Sequence, residues 1–284
     1  MDDQETLLKQ VFGESTDSDS DDCEQPQQHE NRSENFGQTP SWLRIKEING
    51  LYLCVDFLSP QHQSSLLSAI QNEGWFTDAS HNQAMRFGDL PTWATKLSDS
   101  IREAVLLSDN DLATCDGDKE VCPLPSDLLW REPLFDQLIV NVYQPGEVRY
   151  DFLSWLSCSE SSACLARVKH CATCLFISAG ICAHVDLMRF DDGIAIVSLE
   201  SSCVMHFTRV REASSTGERG IEDPPAKKVP VYLTPGSLVV MSGEARYHWK
   251  HEISRKPGFQ IWEGKELNQK RRISITLRKL CRVE

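Results

Sequence analysis

An α+β domain built around a β-sandwich or open barrel is what this 284-residue sequence predicts. Three features lead there: two amphipathic helical stretches come first, short β-branched runs come after them, and Gly, Pro and polar turns separate those runs. Ile48 to Phe57 reads as a strand leading towards a helix. Ser59 and Pro60 supply that helix with an N-cap and a first-turn proline, Leu66, Leu67 and Ile70 share one face, and Gly74 stops it. A second helix, Pro91 to Leu107, carries Trp93, Leu97, Ile101 and Val105 at helical spacing. The strands that follow are Gln137 to Tyr143, Ile194 to Leu199, Cys203 to Val210, Val231 to Leu233, Ser237 to Met241 and Arg272 to Leu277. Arg211 to Lys228, rich in charge with Gly and paired prolines, reads as an exposed loop between two of them.

Charge is unevenly placed. The chain carries a formal −13, of which residues 1–40 contribute −9, eleven acids against Lys9 and Arg32. A stretch such as Glu14 to Asp22, alternating Ser with acids, buries no apolar surface, and a disordered acidic tail over 1–40 is expected, with one domain over 41–284. From Arg246 to Glu284 the balance reverses to +7, eleven Lys and Arg against four Glu. That segment reads either as a basic face or as an ordinary solvated surface. The start, MDDQETLLKQ, has neither a basic n-region nor an apolar h-region, and no run approaches the roughly 18 apolar residues of a spanning helix. The eleven cysteines are irregularly spaced. A soluble protein of the cytoplasm or nucleus, with reduced thiols and no membrane partner, is the expectation; oligomeric state is not legible.

His184-Val-Asp186, with a later His251, is the most informative cluster. Residues two apart on a strand share a side, so His184 and Asp186 are able to bind one metal together. An imidazole from a distant strand completes two histidines and a carboxylate on one face of a metal, with positions left open for substrate and oxygen; this set suits non-haem Fe(II). Alone, the grouping is a weak signal, and a structural or accidental reading outweighs the metal one. Two further features bear on it. In Arg272 to Arg278, Ile273, Ile275 and Leu277 alternate with Arg272, Ser274, Thr276 and Arg278, so one strand face presents two guanidiniums and two hydroxyls. An inward arginine pair is costly without an anion, and guanidinium forks match carboxylates. Asn141-Val-Tyr143-Gln-Pro145-Gly146 ends a strand with Asn141 and Tyr143 on one face, placed to donate to the same dicarboxylate, and Leu138, Val140 and Val142 on the other.

With N-x-Y-x-P-G, H-x-D, a distal His and R-x5-R in this order, the chain resembles the AlkB-like Fe(II)- and 2-oxoglutarate-dependent dioxygenases from about Gly50 to Lys279. The text around Met241 to Ile253 is most similar to the eukaryotic homologues that include the tRNA wobble-modifying branch. The resemblance implies a double-stranded β-helix (jelly-roll) core with N-terminal helices packed against it. It implies His184, Asp186 and His251 as iron ligands, with His248 a neighbour, and Asn141, Tyr143, Arg272 and Arg278 as 2-oxoglutarate ligands, with Ser274 also placed there. Fe(II), 2-oxoglutarate and O2 are the implied cofactors. The implied reaction is oxidation of an N-alkyl or related C–H group on nucleic acid, RNA or DNA, by demethylation or hydroxylation. A protein side-chain demethylase or hydroxylase, and a non-catalytic binding isoform, are the competing readings. Gln83 to Gly88 falls where the family has a substrate lid; there Arg86 is placed to contact phosphate or base and Phe87 to stack, unless they are a surface cation beside a core ring.

One segment departs from the family pattern. Gly146 and His184 are separated by 37 intervening residues, where a short link is expected. Removing 32 residues, Val148 to Ala179, restores the spacing with no other change. This stretch holds four of the eleven cysteines and shows little strand or helix periodicity. It reads as a non-family insertion: retained intronic sequence, a splice form or a gene-model error. Cys158, Cys164, His170, Cys171 and Cys174, with one Cys-x-x-Cys, are the alternative of a zinc site, although no second pair follows. Sequencing transcripts across the junction is expected to find a shorter species joining Glu147 to Gly180; abundance of the long form alone would sink the intron reading.

Overall fold

The computed structural model describes residues 41–78, 81–108, 122–144, 181–210, 227–256 and 258–282. The acidic tail, the 148–179 insertion with its cysteines, and residues 211–226 lie outside the described residues. In chain order the elements are β1 (Ser41–Arg44), β2 (Leu51–Val55), α1 (Pro60–Asn72), β3 (Gln83–Phe87), α2 (Thr92–Leu106), α3 (Ser126–Leu129), β4 (Gln137–Tyr143), β5 (Ile181–His184) and β6 (Ile194–Leu199). There follow β7 (Cys203–Arg209), β8 (Lys228–Leu233), β9 (Leu238–Met241), α4 (Gly243–Tyr247), β10 (Trp249–Ile253), β11 (Ile261–Trp262), β12 (Lys265–Glu266) and β13 (Arg272–Arg278). Seven strands form one antiparallel sheet in the order β1-β2-β9-β6-β13-β4-β3, and four form a second in the order β5-β10-β7-β8. This is the double-stranded β-helix expected, and no described helix is long and apolar enough to cross a membrane.

Strand alternation sorts side chains into two cores. Val140 and Val142 of β4, Ala195, Val197 and Leu199 of β6, and Ile273, Ile275 and Leu277 of β13 meet the helices through Leu66, Ile70, Leu97, Ile101 and Leu128. The opposite face of the large sheet, with Ile194, Ile196, Val239 and Met241, meets Met205 and Phe207 of β7, Val229 and Val231 of β8, and Ile253 of β10. Each fully buried aliphatic side chain contributes about 1.5–3 kcal/mol, so a one-residue slip in β13 would exchange three such residues for two arginines. The helix starting at Pro60 begins as read: Ser59 accepts from the His62 amide and Pro60 occupies the first turn. β1, α3, α4 and β10 were not legible as separate elements, being short segments whose partners are distant in sequence.

The chain reverses sharply where β2 begins. Gly50 has φ +79°, and the Ser242 amide donates to its carbonyl at 2.8 Å. A Cβ there would lie 2.0 Å from the Ser242 carbonyl oxygen, a backbone atom fixed at the start of α4. Gly50→Ala therefore combines left-handed strain with overpacking and is expected to cost about 3 kcal/mol by denaturant unfolding. Gly264→Ala, with positive φ but open space around it, is expected to lose about 1–2 kcal/mol.

Candidate metal centre

His184 ends β5, and β10 brings His251 directly opposite it in the antiparallel register. Their rings lie 4.3 Å apart by centroid. Asp186 is not on the strand, as its spacing suggested, but in the loop just beyond it. It still joins the histidines: Asp186 Oδ2 is 3.8 Å from His251 Nε2, and donor atoms of all three residues lie within 4.8 Å of one another. His184 Nδ1 faces the Cys182 carbonyl at 2.7 Å. A carbonyl only accepts, so Nδ1 carries the proton and Nε2 is left as a ligand lone pair. His251 is buried and its neighbour His248 exposed. His206, one residue from the cross-strand partner Phe207 of His251, faces the other side of its sheet.

The carboxylate stays ionised against its surroundings. Burial pushes the Asp186 pKa up, but Arg278, His251, His184 and Arg246 outweigh it and hold the value down to about 2. Arg278 Nη2 contacts Asp186 Oδ1 at 2.5 Å. Burial, assisted by His184, lowers His251 to about 3 despite Asp186. A neutral imidazole beside an ionised carboxylate is the protonation state a divalent cation requires.

Beyond the triad, β13 aligns Arg272 with Tyr143 and Ser274 with Asn141 across β4. The Arg272 guanidinium lies 5.4 Å from the Tyr143 ring centroid, and its Nε donates to Ser198 Oγ at 3.0 Å. Arg272 Nη1 and Nη2 and Ser274 Oγ are buried without a hydrogen-bond partner among the described residues. A buried guanidinium with both fork nitrogens unmet is several kcal/mol short of satisfied, and a carboxylate is the group that meets it. The residues present thus fit both a metal and an oxo-dicarboxylate. Asn141 Oδ1 accepts from Gln83 Nε2 at 2.7 Å, leaving its amide hydrogens to donate elsewhere. Arg278, expected beside Arg272 as a 2-oxoglutarate ligand, contacts Asp186 through Nη2 and keeps a buried Nε without a partner among the described residues.

β3 separates the two lid candidates. Gln83 and Phe87 pair with Asn141 and Gln137, so they share the face of β4 that carries Asn141 and Tyr143. Arg86 faces the other way, its guanidinium 4.5 Å from the Trp75 ring centroid, and so does not point at the site. Phe87 is 47% exposed, and the Arg189 guanidinium lies 5.6 Å from its ring. Sequence reasoning missed Gln83, Arg189 and Arg246. Arg246 donates to the carbonyls of Asp186, Leu187 and Phe190 at 3.0, 2.6 and 3.2 Å.

The depressed His251 pKa makes the metal-free protein acid-sensitive. Between pH 6.5 and about 3 the unfolded chain binds a proton that the folded one refuses, so stability rises with pH across this window and falls on acidification. From pH 6.5 to 5 the loss is expected to be about 2 kcal/mol in urea midpoints converted to free energy. His251→Asn is expected to flatten that slope.

The 2OG-Fe(II) oxygenase superfamily model matches residues 50–278. An Arabidopsis thaliana protein named "Alkylated DNA repair protein ALKBH8 homolog" is 26% identical over 85% of this chain and 62% of its own length. A Xenopus tropicalis protein named "tRNA (carboxymethyluridine(34)-5-O)-methyltransferase alkbh8" is 25% identical over 76% of this chain, which spans only 27% of that protein. A Macaca fascicularis protein of the same name is 40% identical over 42% of this chain and 11% of its own length. A matching family model over residues 50–278 makes the chain a member of the 2OG-Fe(II) oxygenase superfamily, and its two imidazoles, carboxylate and unmet guanidinium fork fit Fe(II) and 2-oxoglutarate.

Proposed function

We propose that this dioxygenase oxidises an N-alkyl or related C–H group on nucleic acid, with His184, Asp186 and His251 holding the iron. The observation that carries the site assignment is the pair of buried Arg272 fork nitrogens without a partner among the described residues, together with three converging metal donors. Fe(II), 2-oxoglutarate and O2 together supply the oxidising equivalents for C–H hydroxylation, and a hydroxylated N-methyl group decomposes to formaldehyde and an amine. Arg272, Tyr143, Ser274 and Asn141 bind and orient the cosubstrate carboxylates. Arg278 balances the Asp186 charge and keeps that ligand ionised. Phe87 and Arg189 form an exposed aromatic and cationic rim able to stack a base. The names carried by the Arabidopsis and Xenopus relatives support a nucleic-acid substrate, tRNA among them.

A second reading, a protein substrate, is favoured by the fate of the basic C-terminal segment. Arg246, Arg272 and Lys279 are buried, Arg278 pairs with Asp186 and Arg271 with Glu200. These five of its eleven cations are therefore withdrawn from any basic face. A cytosolic or nuclear home suits either substrate.

Anaerobic titration with Fe(II) and 2-oxoglutarate, on this chain and on one lacking residues 148–179, is expected to give the visible charge-transfer band. Asp186→Ala is expected to abolish it and Arg272→Ala to weaken 2-oxoglutarate binding about 10–100-fold. A folded chain without the band in either form would refute the site; a band in the shortened chain alone would make the long form a non-catalytic isoform. Formaldehyde release is then compared on N-methylated RNA, single-stranded DNA and peptides. Turnover on oligonucleotides, weakened steeply by salt, is expected; turnover on peptides alone would establish the second reading.

A further inference from the structure

Asp186 is the one member of the triad that no strand places. It lies in the 185–193 stretch, which joins β5 to the strand β6 of the other sheet. Irregular backbone of this kind holds one geometry only when its carbonyls find fixed donors. Three of them find the same one. Arg246, 1% exposed, sends Nη1 to the Asp186 carbonyl and Nη2 to those of Leu187 and Phe190. Its hydrogen bonds thus go to backbone oxygens, while the Asp186 carboxylate contacts Arg278 and His251.

The donor is itself fixed. α4, which carries Arg246, is anchored at its start: the Gly243 amide donates to both Asp192 carboxylate oxygens at 2.8 and 3.1 Å, and the Ala245 amide to the Asn49 carbonyl at 2.9 Å. Asp192 closes the same connection that Asp186 opens, so loop and helix are joined at both ends. α4 runs directly into β10 and His251. The guanidinium therefore ties together two ligand-bearing segments that the chain separates by more than sixty residues.

We propose that Arg246 is a positioning residue of the metal centre: through the loop carbonyls it sets where the Asp186 carboxylate meets the two imidazoles. The inference rests on the metal-centre reading above. A planar fork reaching three carbonyls is not replaceable by an ammonium, which offers a point charge without that geometry.

The test is an anaerobic Co(II) titration of the full chain, followed by the ligand-field absorption bands, on wild type, Asp186→Ala, Arg246→Lys and Arg246→Met, with a thermal melt of each metal-free protein. Wild type is expected to bind and Asp186→Ala to lose the bands. Folded Arg246→Met and Arg246→Lys are expected to bind Co(II) about 10–100-fold more weakly, with altered band positions, since partners that orient a ligand carry effects of that size. Either folded Arg246 variant with wild-type affinity and spectrum overturns the proposal while leaving the metal centre standing. If neither variant folds, Arg246 is a stability residue and the positioning role is overturned. A wild-type protein that binds no Co(II) refutes the metal centre itself.

Discussion

β13 is a strand with two incompatible faces, and the architecture depends on keeping them apart. Ile273, Ile275 and Leu277 belong under the helices, while Arg272, Ser274 and Arg278 belong in the space between the sheets. Neighbours on both sides hold this register: β4 pairs with all seven residues of β13 and β6 with five. Because side chains alternate with a period of two, no intermediate register exists that satisfies either face. The hydrophobic core under the helices is thus also the device that aims two guanidiniums inward.

Inside, the electrostatics form one coupled set. Asp186 is the anion that Arg278 and both imidazoles share, and its depressed pKa is the result of those neighbours prevailing over burial. Arg272 lies apart, against Tyr143 and Ser198, with its fork nitrogens unmet. Arg278 thus pairs with the protein's own carboxylate, while Arg272 presents its fork to an anion supplied from outside. A buried cation without its partner is unfavourable, so the interior is arranged for occupancy rather than for stability of the empty form.

Much of this was legible in the sequence. Alternation in β4 and β13 places Asn141, Tyr143, Arg272 and Ser274 together because a two-residue period survives in any strand, and the spacing of His184 and Asp186 survives although Asp186 lies beyond the strand end. What was not legible shares a cause. Arg246 acts on backbone carbonyls, which have no sequence signature, and Gln83 acts on Asn141 through strand pairing across 58 residues. Arg86 shows the converse: next to Phe87 in sequence, it is directed to Trp75 by the same alternation. The distinction between His248 and His251, implied by the motif, has its physical counterpart in burial: His251 is buried and His248 exposed.

The β5 strand has a consequence for how a metal would be held. It is four residues long, pairs among the described strands with β10 alone, and its register is irregular between His184 and Ile181. Cys182 and Ala183 are exposed, so little apolar burial keeps it in place. Such a segment opens locally at far less cost than the central strands. Metal affinity at this centre is then a composite of coordination and of closing a short strand, and the imidazole of His184 behaves as the latch of the site while Asp186 and His251 are its frame.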